Sequence, residues 1–246
     1  MIDSLVVLGE NLFGPSLSVS DCLFTSAQLG IGGVVAAPAR GRDYVLPAAN
    51  DRLAADADGM PGVARLARVD PLQGTAALSE LRRCLDELHC SGVFLNPDEE
   101  VFAVQDAEAV VRVAADAGVP VVVVAGVPHR SEPLQILDLA ARVPEARLIL
   151  TSGGQINIAG LSMVDAWAAL TAAPNISVLS NGEYRQDFLE RIPRELGAER
   201  LLFASFAPYY EQPFEAARIR NIGYSARDLD AVCHDNARRA FALTFG

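Results

Sequence analysis

His129 and Arg130 stand side by side in the segment Gly126-Val127-Pro128-His129-Arg130-Ser131. An imidazole next to a guanidinium suits a carboxylate or a polarised carbonyl, because both groups donate to oxygen and the guanidinium does so with a fixed fork. The alternative is a solvated loop that leads into a helix. Asn96, in Asn96-Pro97-Asp98-Glu99-Glu100, is either a polar probe for the same ligand or plain Asn-Pro turn chemistry. Ser152 precedes Gly153-Gly154, but a serine nucleophile needs a neighbouring base, and the chain has no G-x-S-x-G elbow. Glu10, followed by Asn11, and Glu183, in Glu183-Tyr184-Arg185, could share acid–base work. Tyr209-Tyr210-Glu211 could line a pocket or face a partner, since tyrosine is enriched among interface anchors. The candidate binding set is therefore Glu10, Asn96, His129, Arg130, Ser152, Glu183 and Tyr210, with a small anionic molecule as a candidate ligand. No residue is expected to be catalytic, and no cofactor is expected.

Other chemistry is excluded by composition. All 20 basic residues are arginine, so lysine Schiff bases, a P-loop lysine and a carbamylated-lysine metal bridge are impossible. With 31 acidic residues the net charge is -11, which disfavours nucleic acid and anionic membrane surfaces as partners. Cys22, Cys84, Cys90 and Cys233 form no C-x-x-C pair and are expected to be reduced. The segment after Met1 has no basic n-region, and the apolar run 119–127 is too short for a bilayer, so a cytoplasmic location is expected.

These side chains need a frame to bring them together. Short runs of Val, Leu, Ile and Ala fall at 4–8, 33–37, 64–69, 92–95, 119–125, 148–151, 176–180 and 200–203. Each is nearly continuous rather than alternating, as parallel strands buried on both faces read. Amphipathic stretches lie between them. Residues 75–88 place Leu78, Leu81, Leu85 and Leu88 on one face, 106–117 end at Gly118, and 225–242 open with a cap at Ser225 and Asp228. Residues 40–62 read as a long loop plus a helix, and Gly30-Ile31-Gly32-Gly33 reads as a turn rather than a phosphate cradle. Eight such units predict one (β/α)₈ TIM-type barrel domain over residues 1–246. The near-constant step favours it over an open doubly wound sheet.

At this level the chain resembles the amidohydrolase-related family, the amidohydrolase 2 branch of the metal-dependent hydrolase superfamily. The similarity runs from about Ile2 to Leu243. It is carried by Asp235-Asn236-Ala237-Arg238-Arg239-Ala240-Phe241 on the last helix and Leu201-Leu202-Phe203-Ala204-Ser205 on strand eight. Leu148 to Gly154 on strand six, Pro120 to Gly126 on strand five and Phe94-Leu95-Asn96-Pro97 on strand four add to it.

The resemblance implies an amidohydrolase-like barrel with a divalent metal, usually zinc, at the C-terminal mouth. Its ligands would be an H-x-H on strand one, a His on strand five, often a His on strand six and an Asp on strand eight. The matching positions here are Leu5, Val7, Val124, Ser152 and Phe206. None supplies a metal ligand or a general base, and the remaining histidines, His89 and His234, belong to helices away from the mouth. The apolar replacements suit a packed interior, at about 1.5–3 kcal/mol for each large side chain buried. The expectation is a pseudoenzyme: a structural or regulatory subunit, forming homo- or hetero-oligomers, with a catalytic amidohydrolase paralogue as one candidate partner. The alternative is a metal-independent hydrolase, lactonase or decarboxylase that uses the polar residues of the mouth.

Overall fold

The computed structural model describes residues 1–155 and 160–245. Eight parallel strands pair in sequence order: β1 (Ile2–Leu8), β2 (Gly33–Pro38), β3 (Val63–Arg68), β4 (Gly92–Leu95), β5 (Val121–Val123), β6 (Leu148–Leu150), β7 (Ile176–Leu179) and β8 (Leu201–Leu202). Between them run α1 (Val19–Gln28), α2 (Leu46–Asp56), α3 (Thr75–Asp86), α4 (Glu108–Asp116), α5 (Pro133–Arg142), α6 (Gly160–Ala172) and α7 (Gln186–Glu195). After β8 come α8 (Gln212–Asn221), α9 (Ala226–Asp230), one π-helical turn (Ala231–Asp235) and α10 (Asn236–Phe241).

β8 and β1 bring the ring together through Ser4 N–H to Phe203 O (2.9 Å), Phe206 N–H to Leu5 O (2.8 Å) and Val7 N–H to Ala207 O (2.7 Å). This is the TIM-type barrel that the spacing predicts. β5 is shorter than 119–125. Pro120 has no N–H to give to a ladder, and Ala125 N–H turns to the Thr151 hydroxyl (3.1 Å). Ser225 caps α9 as expected, accepting from Asp228 N–H at 3.1 Å. His89 is not on a helix: it lies in the turn after α3 at φ 52°.

The strands are buried on both faces, and the core splits into two layers accordingly. One layer lies between strands and helices and holds Val6, Leu8, Val34, Val93 and Val121. The other fills the barrel and holds Ile2, Leu5, Val7, Leu66, Phe94, Val122, Ile149 and Leu202. Leu5 and Val7 face inward together by strand alternation, and a register shift in β1 between Asp3 and Val6 lets Ile2, an odd spacing away, face inward as well. No helix among the described residues is long and apolar enough to cross a membrane.

Candidate functional site at the barrel mouth

The C-terminal ends of the strands carry two distinct polar clusters around an apolar centre. Leu5, Val7, Val124 and Phe206 join Phe94 in the buried interior cluster. Phe206 holds the left-handed φ of 57°, and its ring sits edge-on to Phe94 (centroids 6.3 Å) and 4.9 Å from Tyr209. At a β-branched or bulky residue such a backbone is held only by its surroundings.

The first cluster lies over β2 to β4. Arg68, at the end of β3, is fully buried and donates to Glu99 Oε2 (2.5 Å), Glu100 Oε1 (2.8 Å) and the Pro38 carbonyl (3.0 Å). Arg40 donates to the Glu99 carbonyl (2.5 Å) and to Glu100 Oε1 (3.2 Å). Two guanidiniums thus face two carboxylates, and the set is neutral. Asn50 grips the backbone of Arg68 at both ends, accepting from its N–H (2.9 Å) and donating to its carbonyl (3.0 Å). Tyr209 donates its hydroxyl proton to Glu99 Oε1 and accepts from Asn11 Nδ2 at 3.1 Å. Burial pushes the Glu100 carboxyl up, against the pull of Arg68. Burial works against the charge of Arg68, but Glu100 and Glu99 outweigh it and leave its pKa raised.

The second cluster lies over β7 and the start of α8. Glu183 is fully buried and accepts from Gln155 Nε2 (2.7 Å) and from Arg185 N–H (2.8 Å). Glu215 accepts from Gly182 N–H (3.2 Å) and from Arg218, which also donates to the Ser180 and Glu183 carbonyls. Burial raises the pKa of both carboxyls. Gly182, at φ 63°, lies beneath the Tyr210 ring so closely that a Cβ would come within 2.5 Å of Cζ. The left-handed φ favours glycine there, and any side chain would also have to displace the Tyr210 ring.

A further buried carboxylate, Asp3, ties β1 to β8 and α8. It accepts from Ser205 N–H (2.8 Å), Ser205 Oγ (2.6 Å) and Gln212 Nε2 (2.9 Å), and burial raises its pKa.

The residues singled out from the sequence are distributed among these surroundings. Asn96 is buried and accepts from Asp98 and Glu99 N–H at 3.2 and 3.3 Å, so it shapes the turn that presents Glu99. Arg130 spends its guanidinium on the Pro97 and Asp98 carbonyls (3.4 and 3.3 Å), stapling that same turn. His129 is exposed at φ 63°, and Gln135 Nε2 reaches its carbonyl at 3.3 Å. Ser152 is buried against Asn181, whose amide donates to its hydroxyl at 3.2 Å. Glu10 is exposed and 3.4 Å from Arg42, in a pocket of about 290 Å³ between the loops after β1 and β2. Glu183 and Tyr210 line a different groove of about 580 Å³. Glu10 and Glu183 thus belong to separate surroundings rather than to one acid–base pair.

Arg40, Arg68, Glu99, Glu100 and Asp3 were not among the candidates. Arg68 had a visible signal, a charge at the end of a strand buried on both faces, whereas Glu99 and Glu100 read as turn residues.

The family can now be placed. An amidohydrolase family model matches residues 15–243. The chain belongs to the amidohydrolase family. No protein of curated function matches the sequence. Among solved structures, the chain is similar to a 5-carboxyvanillate decarboxylase from Sphingomonas paucimobilis, with TM-score 0.77, 14% identity and 99% of each chain covered. A 2,6-dihydroxybenzoate decarboxylase from Rhizobium gives TM-score 0.75 and 18% identity over 98% of this chain and 99% of that one. A dihydroxybenzoic acid decarboxylase from Polaromonas sp. JS666, solved with bound manganese, gives TM-score 0.76 and 18% identity over 98% and 96%. At these identities the likeness speaks to fold.

The amidohydrolase family implies a metal at the mouth, and the described residues there offer no set of side chains that fits one. Four of the five positions that the resemblance assigns to ligands or base are packed hydrocarbon, and the fifth is a serine bonded to an amide. Among the described residues no three His, Cys, Asp or Glu side chains are grouped so as to hold a metal ion. Imidazole, thiolate and carboxylate are the groups that would be needed.

Proposed function

We propose that this amidohydrolase-family barrel is a non-catalytic member that works as a structural or regulatory subunit. It would assemble with itself or with a metal-bearing barrel of the same family. One observation carries the reading: Leu5, Val7, Val124 and Phe206 pack with Phe94 into a single buried cluster where relatives would coordinate metal. The neutral Arg40–Arg68–Glu99–Glu100 set beside it supports the same reading, because its two guanidiniums pair with its two carboxylates, while Arg40 Nε, Arg68 Nε and Glu100 Oε2 stay buried without a partner.

The test is elemental analysis of the purified protein after incubation with Zn²⁺ or Mn²⁺, with hydrolysis and decarboxylation assays on the same samples. Substoichiometric metal, no turnover, and a stable complex on co-expression with a metal-bearing paralogue are the expected results. Stoichiometric metal would overturn the reading. So would turnover abolished by Glu183→Gln, which would favour a metal-independent enzyme such as a decarboxylase.

A further inference from the structure

The groove over β7 and α8 has a composition of its own. Its walls are aromatic, and they are exposed: Tyr184 is 68%, Phe214 65% and Tyr210 38% accessible. Isolated exposed aromatics are ordinary, but three bordering one cavity of about 580 Å³ are not. The charges beneath and beside those rings are unbalanced. Glu183, Glu211 and Glu215 border the groove against a single arginine, Arg218, which is spent on Glu215 and on two carbonyls. Glu183 has no cation within ion-pair distance among the described residues, and each of its oxygens accepts an N–H donor. Arg218 and Arg185 pull on the Glu183 carboxyl from beyond ion-pair distance, but with Glu211 and Glu215 beside it the groove still carries more carboxylates than guanidiniums.

We infer that this groove binds a small alkylated ammonium ion, stacked against Tyr184, Tyr210 and Phe214 over an anionic floor. Ring faces attract cations through their quadrupole, and alkylated ammonium groups need no hydrogen bond to be recognised this way. That matters here because the floor carboxylates are buried and act through their field rather than by contact. The aromatic edges supply apolar surface to the alkyl groups, while an anion would meet the excess of carboxylates. A second copy of the chain could offer an arginine guanidinium to these rings but no alkylated ammonium from a lysine, since the sequence contains none.

The test compares choline with 3,3-dimethyl-1-butanol, its uncharged carbon isostere, in NMR titrations of the whole protein. Saturable choline binding is expected, with the isostere weaker by about fivefold or more. Phe214→Ala and Tyr184→Ala, both at exposed positions that leave the fold intact, should each weaken choline by about two- to fivefold. Glu183→Gln should weaken it further while leaving the isostere unchanged. Absence of saturation, equal binding of the two probes, or insensitivity to both aromatic variants would overturn the inference. So would Phe214→Ala altering oligomeric state without altering choline binding, since the groove would then be a face between copies. None of these readouts depends on metal content or turnover, so failure here is separable from failure of the non-catalytic reading.

Discussion

The loops after β2 to β4 bury two carboxylates, Glu99 and Glu100, and meet them with two guanidiniums. The loops around β7 and α8 bury Glu183 and Glu215 and meet them with one. The first region is closed: Arg68 is fully buried and Tyr209 lies over Glu99. The second region opens onto an aromatic groove. Burial of charge is costly in both places, and matching each carboxylate with a guanidinium offsets part of that cost in the first region. Incomplete pairing beside open space marks a region where something else can complete the balance.

The closed region should be the more sensitive to mutation. Arg68→Met strands Glu99 and Glu100 in a buried site and should cost about 3–5 kcal/mol in urea unfolding. Adding Glu99→Gln and Glu100→Gln should recover part of that loss; no recovery would mean the charges are not what couples these residues. Next comes Phe206→Ala, which removes a ring packed on Phe94 and Tyr209 and should cost about 3 kcal/mol by the same measurement. A loss well under 1 kcal/mol would mean that the apolar centre of the mouth is loosely packed.

The open region should respond to pH instead. Burial raises the pKa of Glu183 and Glu215, and a carboxyl raised on folding contributes stability that is full below its unfolded pKa. That contribution is lost as pH rises through the folded value, so it strengthens on acidification from neutrality. Glu183→Gln should therefore flatten the difference in urea midpoint between about pH 5 and 8 relative to the parent. An unchanged slope would show that Glu183 is not held as a strained carboxylate. Smallest of all is Phe214→Ala, whose ring is mostly exposed and whose loss should change stability by under about 0.5 kcal/mol. A larger effect would contradict the picture of an unfilled groove wall.

Strand period and apolar replacement were legible in the chain because both are local. Arg68 is 31 residues from Glu99 and 32 from Glu100 along the sequence, and nothing in either segment announces the other. Asp3 meets Ser205 and Gln212 across more than 200 residues, a contact that exists only because β8 lies against β1. Asn96 and Arg130 left a choice between ligand contact and loop chemistry, and in the folded chain they hold the turn that delivers Glu99.

What the sequence determined by itself was the alternation of doubly buried strands and amphipathic helices, since hydrophobic periodicity is written residue by residue. It also determined which residue types stand at the mouth. Which of those side chains neutralise each other, and which are left facing open space, was decided by the closing of the barrel. Ion pairing and burial depend on distances that only the folded chain sets.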